Sequence, residues 1–265
     1  MAEKVVRKKK VSAAKEPIAE KLVSKKESVK SDKYPTKCRA QSLVDVMSKF
    51  TVKQKKAIKE IGFGGLLKMN ISVVPSGLTD LLVEAFDCDS LKVHVTETEE
   101  FVLSQYDVHD LFLLPVKGNN VVLTATGRGS HAEDTELKNK WRRKFNISTA
   151  QNIKLDLVTS WFKNNKGACG DEFKQMFVLY ALSTFLAPTP NYSVDFRLLK
   201  AVDDVEKIKG FNWSKYVYEK VVEGVKGLKT GTVKCLCGCI VVLLLAYIHR
   251  FEFHGEVQPT DLPRY

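Results

Sequence analysis

Apolar positions along most of this chain recur every three or four residues, the spacing of helices that bury one face. Leu43, Val46, Met47 and Phe50 share one such face, which predicts a helix over Ser42 to Phe50. Thr51-Val-Lys-Gln54 is a capping-box pattern, in which the Thr hydroxyl and the Gln side chain satisfy free amides at the next helix start, and Gly62 supplies its stop. That helix turns Ala57, Ile58 and Ile61 inward and Lys53, Lys55, Lys56 and Lys59 outward, a basic face that reads as solvated. After Pro75-Ser-Gly, a third helix carries Leu78, Leu81, Leu82, Ala85 and Phe86 on one stripe until Asp87-Cys-Asp-Ser breaks it. Leu91, Val93 and Val95 alternate as in a strand, and Glu100 to Leu103 is expected to pair with them as a small hairpin. Ser104-Gln-Tyr-Asp107 reads as the cap of a short helix through Leu113, ended by Pro115.

Residues 117–136 read as a long variable loop around a strand at Val121 to Thr124. Beyond it, Thr149 is expected to start a helix with Ile153, Leu157, Trp161 and Phe162 inward, ended by Gly167-Ala-Cys-Gly170. Asp171 then caps a helix from Phe173 to Leu186. It is apolar nearly all round from Phe177 onward, so it belongs at the centre of the fold, and Pro188 and Pro190 stop it. A helix near Ser193 to Val202 follows, then Trp213 to Leu228 with Trp213, Val217, Val221, Gly224 and Leu228 on one stripe. The small Gly224 would let a neighbouring helix approach closely. Cys235 to Ile248 supplies the last core helix. The fold class is therefore mainly α: a single helical domain with a small β-hairpin over residues 38–255, preceded by a disordered basic tail at 1–37 and followed by a C-terminal extension at 256–265.

Composition is that of a chain able to bury a sizeable core, with 44% hydrophobic and 28% charged residues in 265. Charge changes the picture at the amino terminus, where twelve Lys/Arg and five Asp/Glu in residues 1–37 hold +7 of the formal net charge of +11. Few large apolar residues lie there, so burial cannot offset chain entropy. Such a tail is attracted to polyanions, and Arg7, Lys8, Lys9, Lys10, Lys25 and Lys26 are candidates for nucleic-acid or import-receptor contact; a tail that only aids solubility is the simpler alternative. No apolar signal region follows Met1, which argues against secretion, and the six cysteines lack disulfide-framework spacing, which points to reduced thiols. Cys235 to Ile248 has fourteen uncharged residues, short of the roughly 20 that a membrane span needs, so no membrane partner is expected.

Candidate chemistry is sparse. Cys235-Leu-Cys-Gly-Cys239 invites a zinc reading, but no second Cys or His pair accompanies it. On a helix, residues two apart point to different sides, so these thiols read as small buried hydrophobes. Gly62-Phe-Gly-Gly65 and Gly227-Leu-Lys-Thr-Gly231 lack the Lys-Ser/Thr of a phosphate loop, and the histidines at 94, 109, 131, 249 and 254 lack metal-site spacing. No Gly-x-Ser-x-Gly elbow is present. No catalytic residue, metal ligand or cofactor is assigned. Lys138-Asn-Lys-Trp-Arg-Arg-Lys144 mixes an aromatic with bases and makes Lys140, Arg142, Arg143 and Lys144 further candidates for nucleic-acid contact. A helix whose Trp141 packs inward and whose charges are solvated is the commoner origin of such a pattern.

Three blocks in order carry a family resemblance: Cys38-Arg-Ala-Gln-Ser-Leu-Val-Asp-Val-Met with Ile61-Gly-Phe-Gly-Gly-Leu-Leu67; Leu81-Leu-Val-Glu-Ala-Phe-Asp87 with Tyr106-Asp-Val-His-Asp-Leu-Phe-Leu-Leu-Pro115; and Phe177 to Ile248. Over about residues 38–250 the chain resembles the helical domain of plant transposon-derived proteins. That domain is often fused upstream of a ubiquitin-like-protein-specific (SUMO-type) cysteine protease and is distantly similar to the plant mobile domain, also called aminotransferase-like. The resemblance implies a plant nuclear protein of mobile-element ancestry, with no pyridoxal chemistry because no cofactor lysine can be assigned. The expected function is a non-enzymatic nuclear interaction module, its tail contacting nucleic acid or an import receptor and its helical body a protein partner. The alternative is the amino-terminal part of a SUMO-type cysteine protease that lacks the catalytic domain.

Overall fold

The computed structural model describes residues 33–71, 75–96, 98–125 and 131–250. Among them are eleven α-helices and one small antiparallel sheet, so the fold is mainly α. Helix α1 (Ala40–Met47) begins two residues before the predicted start and buries Ala40, Leu43, Val46 and Met47. Helix α2 (Val52–Glu60) opens on the capping box that the sequence spells: Thr51 N donates to Gln54 Oε1 at 2.9 Å and Gln54 N donates to Thr51 Oγ1 at 3.3 Å. Helix α3 (Ser76–Ala85) buries Leu78, Leu81 and Leu82. It ends one residue before Phe86, which opens strand β1 (Phe86–Asp87) against β2 (Lys92–His94) and β3 (Glu100–Val102). The expected hairpin is thus a three-stranded sheet. Phe86 pairs with Val93 and Val93 with Phe101, and all three side chains are buried in one row. Helix α4 (Gln105–Phe112) carries the second capping box, with Ser104 N donating to Asp107 Oδ2 at 2.7 Å.

The middle of the chain departs from the prediction. Helix α5 (Ala132–Lys144) starts inside the expected loop, and Val121 to Thr124 forms no strand. Thr124 is buried instead, its amide donating to Arg197 O at 2.6 Å and its Oγ1 accepting from Lys200 N at 3.0 Å. Those partners lie more than seventy residues away, so the local pattern could not show them. Helix α6 (Leu155–Asn164) starts six residues later than Thr149. The shift puts Leu155, Val158 and Phe162 inward and leaves Leu157 exposed. Helix α7 (Asp171–Ala181) begins with Asp171 as its first residue; Gly170 stands at the cap position and no side chain caps it. It continues as a π-helical turn over Leu182–Leu186.

The predicted helix near Ser193 to Val202 is a 3-10 turn over Phe196–Leu198 followed by α8 (Leu199–Asp203); α9 (Val205–Ile208) comes next. Helix α10 (Trp213–Lys229) buries Trp213, Val217, Val221 and Gly224, and α11 (Ile240–Arg250) is the last. The cysteine-rich segment is not helical: it runs extended into α11, and Leu236 N donates to Pro35 O at 2.9 Å while Lys37 N donates to Leu236 O at 3.2 Å. Residues 33–37, expected in the tail, are therefore bound to the body, and the amides of Lys33 and Tyr34 both donate to the Asp80 carboxylate. The candidates at Arg7, Lys8, Lys9, Lys10, Lys25 and Lys26, and the extension at 256–265, lie outside the described residues.

Helix α7 and its π turn form the axis of the core: every residue from Gln175 to Leu186 is buried. A run of aromatic rings meeting edge to face crosses it. Phe162 meets Phe50 at 5.3 Å, Phe50 meets Phe177 at 6.1 Å, Phe177 meets Phe63 at 6.4 Å and Phe63 meets Trp213 at 5.5 Å. This run joins α6, α7 and α10 through the ring edges, each pair contributing about 0.5–1.5 kcal/mol beyond area burial.

Gly224 does serve a close approach, but its neighbour is the extended segment before α11 and not a helix. A Cβ there would lie 2.5 Å from the Cys237 carbonyl oxygen. Gly224→Ala should therefore destabilise the fold by about 1–3 kcal/mol despite alanine's better helix propensity. Gly77→Ala, where a Cβ meets nothing within 4 Å, should be neutral or stabilising by up to about 1 kcal/mol. Urea denaturation of both variants checks the pair, and equal stability of the two would contradict the packing.

Candidate nucleic-acid interface

Helix α5 carries the basic residues singled out from the sequence, and each is held within the fold. Trp141 is buried, as expected, which turns its neighbours toward adjacent elements. Lys140 Nζ lies 3.0 Å from Asp203 of α8, Lys144 Nζ lies 3.1 Å from Glu172 of α7, and Arg143 pairs with Glu136 one helical face back. Lys144 also sits 4.7 Å from the centre of the Trp141 ring. Arg142 has no carboxylate partner among the described residues; its Nε donates to Gln151 O at 3.0 Å and its guanidinium lies 4.9 Å from the Phe196 ring centre. Exposed pairs of this kind contribute little stability, about 0–1 kcal/mol each, yet three of the four positive charges are neutralised at short range.

Helix α2 is the opposite case. At 100° per residue, Val52, Lys53, Lys55, Lys56 and Lys59 fall on the arc away from the buried Gln54, Ala57 and Ile58. None of these four lysines has a carboxylate within ion-pair distance among the described residues. The only acid on the helix, Glu60, pairs with Lys174 at 3.0 Å, and that contact, with a smaller attraction from Lys56, holds its carboxyl below the usual range. Lys53 and Lys56, Lys56 and Lys59, and Lys55 and Lys59 are like charges at i,i+3 or i,i+4, each costing a few tenths of a kcal/mol. The first turn carries no acid to complement the helix dipole.

The fold adds to this face. Phe50 packs on Phe162, and Gln54 Nε2 donates to Ala168 O at 3.0 Å, which sets the segment with the exposed Lys163 and Lys166 beside the start of α2. Neither of these lysines, nor Lys49, pairs with an acid among the described residues. The sequence displayed the lysine face of α2 plainly. What it could not display is where the carboxylates fall, and that decides which of two basic helices keeps its charge.

Four of the six thiols stand in two pairs. Cys235 and Cys237 stand with their sulfurs 3.9 Å apart and are half-buried, which corrects their reading as buried helical residues. Cys239 is fully buried beside Cys38, whose own sulfur approaches Phe185 O at 3.5 Å. Among the described residues, no three His, Cys, Asp or Glu side chains are grouped to share a metal ion, and no helix is long and apolar enough to cross a membrane. His109 closes the end of α4, its Nδ1 lying 2.6 Å from Leu114 O.

Burial and the adjacent Cys235 push the Cys237 thiol up to about 12. Burial also drives the Cys239 thiol well above its ordinary value. Both should resist iodoacetamide in the folded protein at pH 8, where their thiolate fraction is minute, and react in guanidinium. Peptide mass spectrometry reads the result; labelling of Cys237 at the same rate folded and unfolded would contradict this environment.

The family model described as Domain of unknown function (DUF8566) matches residues 36–244. No curated protein and no solved structure matches the chain. The matched region starts at the contact of Thr36 with Leu236 and runs into the first half of α11, enclosing α1 to α10 and with them the lysine face of α2. This chain belongs to the DUF8566 family.

Proposed function

We propose that this protein is a non-enzymatic, nucleic-acid-binding interaction module whose body holds phosphates on the lysine face of α2. The observation that carries the reading is the contrast between the two basic helices: α5 is matched by carboxylates from α7, α8 and its own face, whereas Lys53, Lys55, Lys56 and Lys59 form no ion pair among the described residues. A dense group of uncompensated charges costs local stability and is relieved when a polyanion binds. Lys49, Lys163 and Lys166 widen the face, and Arg7 to Lys10 with Lys25 and Lys26 would extend the contact from the basic amino-terminal segment. A nuclear location and descent from a mobile element belong to the same reading, on the strength of the sequence resemblance.

Binding of this kind is electrostatic and tolerant of sequence, with a log–log salt slope of about −0.9 per phosphate contacted on duplex DNA. Exchange of Lys53, Lys56 and Lys59 for Gln should flatten that slope by roughly 2–3 in a fluorescence-anisotropy titration of labelled DNA across a salt series. Exchange of Lys140 and Arg143 for Ala should change it by less per charge removed. The α2 variant should also melt no lower than the parent, because the like-charge pairs are gone. An unchanged slope in the α2 variant would overturn the reading.

A further inference from the structure

We infer that the loop around Tyr192 is a base-stacking site for single-stranded nucleic acid, continuous with the lysine face of α2; the inference rests on the nucleic-acid reading above and names its substrate class. Tyr192 lies between the π turn and the Phe196 turn, and its backbone is left-handed at φ +51°, a conformation that disfavours a bulky side chain. The chain around it is fastened all the same. Leu155 N donates to Tyr192 O at 3.0 Å, Val194 N donates to Ile153 O at 2.8 Å, and Thr189 Oγ1 donates to Ser193 O at 2.6 Å. These bonds leave the ring at the surface, 40% exposed.

Cations gather at this ring without anions to match them. Lys37 Nζ lies 4.6 Å from its centre and 3.2 Å from its hydroxyl, and the Arg39 guanidinium lies 5.2 Å from its centre. Lys154 Nζ, close by, donates to Asn191 O at 3.3 Å. None of the three has a carboxylate within ion-pair distance among the described residues. The negative face of the ring holds the positive groups together, and a phosphate would supply the missing charge.

A pocket of about 300 Å³ opens at the residue preceding Tyr192, lined by Ile147, Gln151, Asn152, Lys154, Leu157 and Asn191. Leu157 is the residue that periodicity turned inward and the structure turns outward, and with Ile147 it gives the pocket an apolar wall. The side-chain amides of Asn152 and Asn191 make no hydrogen bond among the described residues. Arg142, from the basic helix α5, holds the lining residue Gln151 by donating to its carbonyl oxygen. An aromatic face, an apolar wall, free amides and unmatched cations are what a splayed base and its phosphate require. A duplex offers neither the face nor the pairing edge of its bases, so the site favours a single strand.

Helix α6 connects this site to the lysine face. It begins at the bond from Leu155 to Tyr192 and ends at Lys163 and Asn164, beside the start of α2. Ten residues span about 15 Å, a distance that a few nucleotides of one strand can bridge. One strand can therefore stack at Tyr192 and lay its phosphates toward Lys163, Lys49 and Lys53.

The test is fluorescence anisotropy on the full chain with a labelled oligothymidylate of about a dozen nucleotides and a duplex of equal length. Tyr192→Asn removes the ring and keeps a residue that tolerates the left-handed backbone; Tyr192→Phe keeps the ring. The Asn variant should bind the single strand roughly 5- to 100-fold more weakly, with the salt slope and duplex affinity unchanged, and the Phe variant should stay within about threefold of the parent. Thermal melting confirms that both variants fold. Single-strand affinity that survives in Tyr192→Asn, or a loss equal on duplex and single strand, overturns the stacking site; if the α2 variant still flattens the salt slope, the broader reading stands. Absence of binding to either probe by the parent overturns both.

Discussion

The rest of the structure depends on one constraint, that the stretch from Gln175 to Leu186 is buried on every side. A helix with no solvent face must be surrounded, and α1, α2, α6, α8 and α9 supply the surroundings. Its few polar groups become connectors: Gln175 Nε2 donates to Asp203 O at 2.9 Å, Tyr180 Oη donates to Ser42 O at 3.3 Å, and Ser183 Oγ accepts from Asp195 N at 3.2 Å. Each bond reaches a different neighbour, so the orientation of α7 about its own axis is set as well as its burial. Loss of one buried polar partner in such a setting costs about 1–3 kcal/mol.

Second to that axis is the closure of the ends onto the body. The strand-like pairing of Thr36 with Leu236 brings residues two hundred apart into register, and it brings Cys38 beside Cys239. Arg250 at the end of α11 pairs with the buried Asp107 of α4 and stacks 4.8 Å from the Phe101 ring, tying helix, sheet and capping box together. The amides of Lys33 and Tyr34 extend this closure to Asp80 of α3.

Much of the fold was legible because local physical chemistry wrote it. The two capping boxes at Thr51 and Ser104, the buried stripe of α10 and the all-round apolar α7 each depend on residues within four positions of one another. The errors share a cause. Val121 to Thr124 alternates like a strand but is claimed by Arg197 and Lys200; the cysteine segment looks like the first turn of α11 but is claimed by residues 35–37. Leu157 fits the periodicity of a helix begun at Thr149, and only the delayed start of α6 turns it outward. The candidate site was half legible: the lysines of α2 and the bases of α5 were both in view, but their difference was not.

By itself the sequence determined the helical class, the boundaries set by capping residues and glycines, the identity of the central helix and the excess of positive charge at the amino terminus. All of these follow from contacts between near neighbours or from composition. Tertiary structure alone decided which charges are neutralised, because Asp203, Glu172 and Glu60 meet their lysines across gaps of 28 residues or more in the chain. It alone decided that Tyr192, Lys37, Arg39 and Leu157 share one surface, since the residues that pin them come from four separate segments. Coulomb and cation–π attraction act over a few ångströms of space, and the distance along the chain carries no information about them.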